Sequence, residues 1–542
     1  MIKGGNNDAL YEHSLDHHVE FFSKAGSLML KKGTFYGGET TALALFQGAF
    51  IAGKELAVKL MFWLRNCRGG AGNRSGFRQC LNWLATHDPE WVKVNMDRIP
   101  HWGRFDDLTA LFDTPLEADA AMYWAEQIKK GHVLAAKWAK REMRPLQSAF
   151  KVNEAGLRKI LVRVRSGHIV EEKMCGRRWT EIEYKHVPSV AMARYTSAFG
   201  RHDPAGFTSF KDKLAKGQTT VNAGALFPYD CLRTVYSGDQ AIADAQFAAL
   251  PNYMEGTDYR IFPIADCSGS MDTPVAGSVR MYDVALSLAF YCSDRLPKNS
   301  PFWRRFIEFS DGYNLINWST VPFNQAVHLP QRHCGGTNIE ATLNGMLETA
   351  EMFSVPQENM PNMLLILSDM QFNQHSDGNG KPAVEACMAK WEAAGYKAPA
   401  IVYWCLAGYA GQPATVDTKN VALVSGFSPS LMTAILGGTD FSPKAVMLRA
   451  ADAYSINVPG GTITAIERLK DEDDDAEEEA SNNAKASRSS TAARVHVANS
   501  SPRSGSKMVR ATVAKSKTLA KAKASSSKKA KSSLPKKVKA KR

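Results

Sequence analysis

The chain has 542 residues, 44% of them hydrophobic, nine cysteines and a formal net charge of +13. That length has room for two or three domains, and no uninterrupted apolar run of about 18 residues exists to cross a membrane. The charge is local: residues 480–542 hold 18 Lys or Arg and no acid, the run DEDDDAEEE at 471–479 holds eight acids, and setting both aside leaves +3 for residues 1–470.

The amino terminus lacks a signal-peptide core, so an intracellular, cytoplasmic protein is expected, with nuclear residence an option in a eukaryotic host and a viral origin left open. The cysteines include no Cys-x-x-Cys and no zinc spacing with histidine. Cys80, Cys292 and Cys405 sit inside apolar patterns and read as buried thiols of a reducing compartment.

Residues 8–250 read as helices joined by short polar turns. His13, Asp16, His17 and His18 fall on a first helix, expected to be solvated rather than metal-binding because no third ligand is in range. A stripe of Leu43, Phe46, Phe50, Leu56, Leu60 and Leu64 spans Thr40–Cys67 at helical spacing. Further stripes follow at Phe77–Leu84 and Leu116–Ile128, and Asn153-Glu154 starts another through Leu157, Ile160, Leu161 and Val164. Helix pairs without a strict sequence period suggest an irregular α-solenoid.

Between the second and third of these helices lies Arg65-Asn66-Cys67-Arg68-Gly69-Gly70-Ala71-Gly72-Asn73-Arg74. It is not the spacing of a nucleotide-hydrolysing phosphate loop, but its amides and guanidinium groups have the chemistry to hold phosphate. Arg104, Lys137, Lys140 and Arg141 join Arg65, Arg68 and Arg74 as candidates for phosphate contact. The competing reading for each is a local salt bridge that fixes a helix turn.

From residue 258 the pattern changes. The short apolar runs Ile261–Ala265, Arg305–Phe309, Met363–Ser368, Ala400–Leu406 and Val421–Val424 alternate with helical stripes through Ala285–Leu296 and Ile339–Ala350. Alternation of this kind predicts a parallel, doubly wound sheet whose ligands sit beyond the carboxyl ends of its strands. Those ends carry Asp266-Cys267-Ser268-Gly269-Ser270 and Ser368-Asp369, while Gly335-Gly336-Thr337 lies at a helix start. Two carboxylates and three hydroxyls are oxygen donors, which suits Mg²⁺ or another hard divalent cation. The expected ligands are Asp266, Ser268, Ser270, Thr337 and Asp369. No nucleophile–base set can be assembled, so an enzyme is not expected.

Residues 258–455 resemble a von Willebrand factor A domain with a metal-ion-dependent adhesion site. By that resemblance Asp266, Ser268 and Ser270 bind the cation directly or nearly so, and Thr337 and Asp369 complete the set, often through water. Upstream, Ile99-Pro100-His101-Trp102-Gly103-Arg104-Phe105-Asp106-Asp107-Leu108, Ala136–Glu142 and Val187–Tyr195 are similar to phrases of the TROVE module of the Ro autoantigen proteins. They are closer still to a poorly characterised plant, fungal and viral family that joins that module to an A domain.

The resemblance covers about residues 40–450 and implies a ring of helical repeats (1–250), an A domain (251–465) and an acidic-then-basic tail (466–542). The expected function is an RNA-binding ribonucleoprotein component that holds structured or misfolded RNA. The alternative is a metal-dependent adhesion module that receives an acidic protein ligand. A body of only +3 sits less well with ring binding. The tail's Lys528, Lys529, Lys536 and Lys537 would add sequence-blind phosphate contacts, as its composition cannot bury enough apolar surface to order it.

Overall fold

A computed structural model describes residues 2–3, 8–28, 41–276, 278–332, 334–374, 382–407, 411–416 and 418–460. The tail, with Lys528, Lys529, Lys536 and Lys537, lies outside the described residues.

Met1–Ile463 form one compact unit that combines a helical half with an α/β half. The sheet has six strands: β1 (Ile261–Asp266), β2 (Arg305–Phe309), β3 (Tyr313–Asn317), β4 (Met363–Ser368), β5 (Ala400–Cys405) and β6 (Val421–Ser425), in the order β6-β5-β4-β1-β2-β3. All neighbours are parallel except β2 and β3. The five expected apolar runs are therefore the five parallel strands, each matched to within one residue. Buried on both faces, such strands read as continuous apolar sequence rather than as alternation.

Side chains alternate between two cores. Ile261, Ala265, Leu365, Leu367, Trp404 and Val424 face helix Met281–Asp294 and the helical half. Phe262, Ile264, Leu364, Ile366, Tyr403 and Leu423 face helices Ile339–Met352 and Ala383–Ala393. Pro263 is unusual in a central strand because it has no N–H to give a neighbour. Pairing of β1 with β2 begins only after it, at Ile264 with Ile307.

The helical half begins and ends against this α/β layer. At its start Tyr11 pairs with Gln412 through both backbone hydrogen bonds, each 2.8 Å, and the Asp8 carboxylate accepts from the N–H of Ala383 at 3.2 Å, at the start of helix Ala383–Ala393. At its end the Asp244 carboxylate accepts from the N–H and side-chain amide of Asn324 at 2.8 and 2.7 Å, and Phe247 stacks on Phe323 with ring centroids 3.9 Å apart. Residues after the sheet return the contact: Asn95 and Asn457 exchange side-chain-to-backbone hydrogen bonds of 2.7 and 2.8 Å.

Two expectations about the helical half change. The stripe over Thr40–Cys67 is two helices, Ala42–Ala52 and Lys54–Arg65, parted at Gly53. There the backbone turns extended and the Gly53 carbonyl is bonded to Nε2 of His18 at 3.1 Å, a contact that a continued helix would hide. The first helix, His17–Ala25, is not solvated: Val19, Phe21 and Phe22 are fully buried, and His13 lies outside it. The helices expected around Phe77–Leu84, Leu116–Ile128 and Asn153-Glu154 are Arg74–His87, Glu117–Lys129 and Glu154–Arg165, the last capped by the Asn153 side chain on the N–H of Gly156 at 2.9 Å. No helix among the described residues is long and apolar enough to cross a membrane.

Candidate metal centre and basic surface

The chain leaves β1 toward β2 on one side and returns to β4 on the other, so the strand order reverses between β1 and β4. Two diverging connections open a crevice there, at the carboxyl ends of the two strands. Asp266 is the last residue of β1 and Asp369 follows the last residue of β4; both are fully buried.

Asp266 is held by its own loop and by the neighbouring strand. Its Oδ1 accepts the N–H of Ser268 at 2.8 Å and its Oδ2 accepts the hydroxyl of Ser368 at 2.5 Å. The Ser268 and Ser270 hydroxyl oxygens are 3.2 Å apart, and the Ser270 hydroxyl lies beside the Asp369 carboxyl. Asp369 Oδ1 accepts the N–H of Gln371 at 3.1 Å, whereas its buried Oδ2 accepts no hydrogen bond from the described residues. Burial, reinforced by the adjacent Asp369, holds the Asp266 carboxyl well above the usual carboxylate range, and burial also raises Asp369.

The third segment is brought in by backbone contacts. Gly269 donates its N–H to the Gly335 carbonyl at 3.1 Å, and Asn338 donates to the Ser310 carbonyl at 2.8 Å. A Cβ on Gly335 would fall 2.0 Å from the Asp311 carboxylate, which accepts the N–H of Gly336 at 2.8 Å. A side chain at 335 would have to push that carboxylate off Gly336. Buried Thr337 then leads into helix Ile339–Met352, capped by Asn338. The described structure thus collects Asp266, Ser268, Ser270 and Asp369 in one crevice and sets the Thr337 segment against the same loop.

The donor set fits a hard divalent cation. Two adjacent buried carboxyls, one with an unbonded oxygen, resist ionising together in the absence of positive charge. Among the described residues no three His, Cys, Asp or Glu converge, so the remaining donors on the protein are hydroxyls.

Sequence reasoning missed three supporting groups. Ser368, the one polar residue in the run Met363–Ser368, bridges the strands. Asp272, two residues past Ser270, forms an ion pair with Arg332, three residues before Gly335, and so ties the two loops together. Arg332 adopts a left-handed backbone, φ 44°, and both its N–H and that of Gln331 donate to the buried Glu308 carboxylate at 3.2 and 3.1 Å.

The seven basic candidates of the helical half fare differently. Arg65 is buried, its Nε 2.6 Å from Asp107. Arg74 and Arg104 both meet Asp106, at 3.2 and 2.8 Å, and Lys137 meets Glu171 at 3.3 Å. Arg141 lies between Glu142 and Glu154, at 3.0 and 3.1 Å, on the exposed surface beside Lys140. Arg68 is exposed.

Several amides of the Gly-rich turn are engaged within the protein rather than open to phosphate. Arg68 donates to the Asn66 side chain at 2.9 Å, and Ala71, Gly72 and Asn73 donate to the carbonyls of Trp63, Asn66 and Leu64. The glycines serve packing instead: a Cβ on Gly70 would lie 2.0 Å from the Trp63 carbonyl and 2.9 Å from the Tyr454 hydroxyl.

Comparison with known proteins gives partial matches. A protein of Acanthamoeba polyphaga mimivirus, described only as uncharacterized, is 22% identical over 515 residues, covering 83% of this chain and 87% of the relative. Residues 125–255 match a family described as a domain of unknown function, DUF2828. Residues 261–490, which begin at β1 and include the whole carboxylate crevice, are similar to a second such family, DUF7788.

Proposed function

We propose that this chain is a non-enzymatic RNA-binding protein of Ro/TROVE type. Its α/β half acts as a von Willebrand factor A domain that holds a divalent cation, Mg²⁺ by chemistry. The observation that carries the cation reading is the Asp266–Asp369 pair at the switch point, with one carboxylate oxygen unbonded. Ser268, Ser270 and Thr337 would supply hydroxyl oxygens, and Ser368 orients Asp266. A bound cation would provide charge neutralisation and an open position for an anionic group of a ligand. The chain's own part is to exclude water from the carboxyls and to fix the loops.

The RNA reading draws on the resemblance of the helical half, on a path that starts and ends against one layer, and on the 18 cationic residues of 480–542. It is tested by crosslinking the intact protein in cells and sequencing attached RNA. Recovery of no RNA above background counts against it.

The second reading, a cation-dependent adhesion module for an acidic protein ligand, is favoured by one observation: most basic candidates of the body are engaged by carboxylates. Asp266→Ala separates the two readings. Loss of a protein partner with RNA binding intact supports adhesion; retention of both makes the crevice purely structural.

A further inference from the structure

Asp106 and Asp107 gather more positive charge than they can neutralise. Asp106 Oδ2 alone is approached by Nη2 of Arg74, Arg78 and Arg104 at 3.2, 3.1 and 2.8 Å. Asp107, fully buried, takes Nε of Arg65 at 2.6 Å and Nε of Arg78 at 2.7 Å. Four guanidiniums against two carboxylates leave two positive charges in the cluster. Arg65 is enclosed, whereas the Arg74, Arg78 and Arg104 side chains are 44%, 25% and 32% exposed, so the surplus lies on the open side.

The local backbone adds to that field. Arg74 is the first residue of the 14-residue helix Arg74–His87, whose first turn holds no acid. The amino end of a helix is already positive, and acids rather than arginines are stabilising there. Burial, with Arg78 and Arg104 alongside, holds the Arg74 guanidinium below its ordinary value. The Arg104 guanidinium also lies 3.8 Å from the centre of the Trp138 ring, which fixes the plane of its fork. Among the described residues, Nη1 of these three arginines donates no hydrogen bond to a protein group.

We propose that Arg74, Arg78 and Arg104 form a phosphate-binding site for a phosphoryl group, either of a nucleic-acid backbone or of a free polyphosphate. Guanidinium forks match phosphate oxygens two at a time, and an arriving dianion would cancel the surplus that the two aspartates leave. The nucleic-acid form of the site rests on the RNA reading above; the phosphate chemistry does not.

The test titrates the full chain with inorganic pyrophosphate by calorimetry and with a structured RNA by filter binding. Wild type is compared with Arg74→Ala, Arg74→Lys and the surface control Lys130→Ala. Wild type should bind pyrophosphate saturably, Arg74→Ala should weaken binding about tenfold, Arg74→Lys should recover part of the loss, and Lys130→Ala should change nothing. With RNA, Arg74→Ala should lower affinity across sequences and reduce the salt slope by about one. Pyrophosphate loss with RNA binding unchanged assigns the site to free phosphate. Failure of wild type to bind pyrophosphate, or equal loss in Lys130→Ala, overturns the proposal.

Discussion

Gly26 donates its backbone N–H to the hydroxyl oxygen of Ser425 at 3.0 Å, joining the first helix to the edge strand of the sheet across 399 residues of sequence. The same hydroxyl donates to the Phe22 carbonyl at 2.8 Å. A Cβ on Gly26 would lie 2.4 Å from the Ser425 carbonyl oxygen, which neither backbone can accommodate without moving. Gly26→Ala should therefore cost about 2–4 kcal/mol in urea unfolding. Gly224→Ala, whose Cβ would meet nothing within 4 Å, should be nearly neutral.

The Asp272–Arg332 pair makes a second prediction. It ties the loop of Ser268 and Ser270 to the segment that leads into Thr337, without itself belonging to the proposed ligand set. Partners of this outer kind typically cost tenfold or more in metal affinity when lost. Asp272→Asn should weaken Mg²⁺ or Mn²⁺ binding about tenfold in a calorimetric titration while leaving the number of bound ions unchanged. An unchanged affinity would show that the two loops hold their positions without the ion pair.

The carboxyl pair predicts a pH dependence with a definite sign. Burial, and then Asp369, raise Asp266, so the cation-free folded chain retains a proton that the unfolded chain has already released. Stability from this group is present below the ordinary carboxylate range near about pH 4 and is lost as pH rises through the raised value. With chelator present, wild type should gain melting temperature relative to Asp266→Asn as pH falls from about 8 to about 5. Mg²⁺ should raise the wild-type midpoint more at the higher pH, where it does not compete with protons. Equal Mg²⁺ shifts at both pH values would contradict the sign.

Deleting residues 480–542 removes 18 cationic groups and no acid. If these residues contact phosphates, RNA affinity should fall by at least about tenfold near 0.1 M salt, and the plot of log K against log salt should become shallower. Filter binding over a salt series measures both. A slope identical in the full and shortened chains would remove the tail from the interface.

Much of the α/β half was legible because parallel central strands leave an unbroken apolar signature. β3 was not. It is an antiparallel edge strand in which Tyr313 and Leu315 are exposed, two of the five residues are asparagine and only Ile316 is buried, so its sequence resembles a surface loop. Gly53 looked like an ordinary position in a helical stripe because the contact that breaks the helix comes from His18, in another element.

The crevice itself could be read from the sequence, since its ligand candidates stand at strand ends. The groups that support it come from loops and carry no spacing of their own; Asp272 and Arg332 are 60 residues apart. Arg78 was recoverable, as it lies one turn from Arg74 on the same helix face. Its role depended on where Asp106 and Asp107 would fold.

The most direct test of the central claim is a Mn²⁺ titration of the full, chelator-stripped chain at neutral pH, followed by calorimetry or by the paramagnetic relaxation of water. Wild type should take up one ion in the crevice, displaced by Mg²⁺, and Asp369→Asn should lose it while keeping the wild-type circular dichroism spectrum. Undiminished uptake by Asp369→Asn, or no uptake by wild type, would contradict a cation held between Asp266 and Asp369.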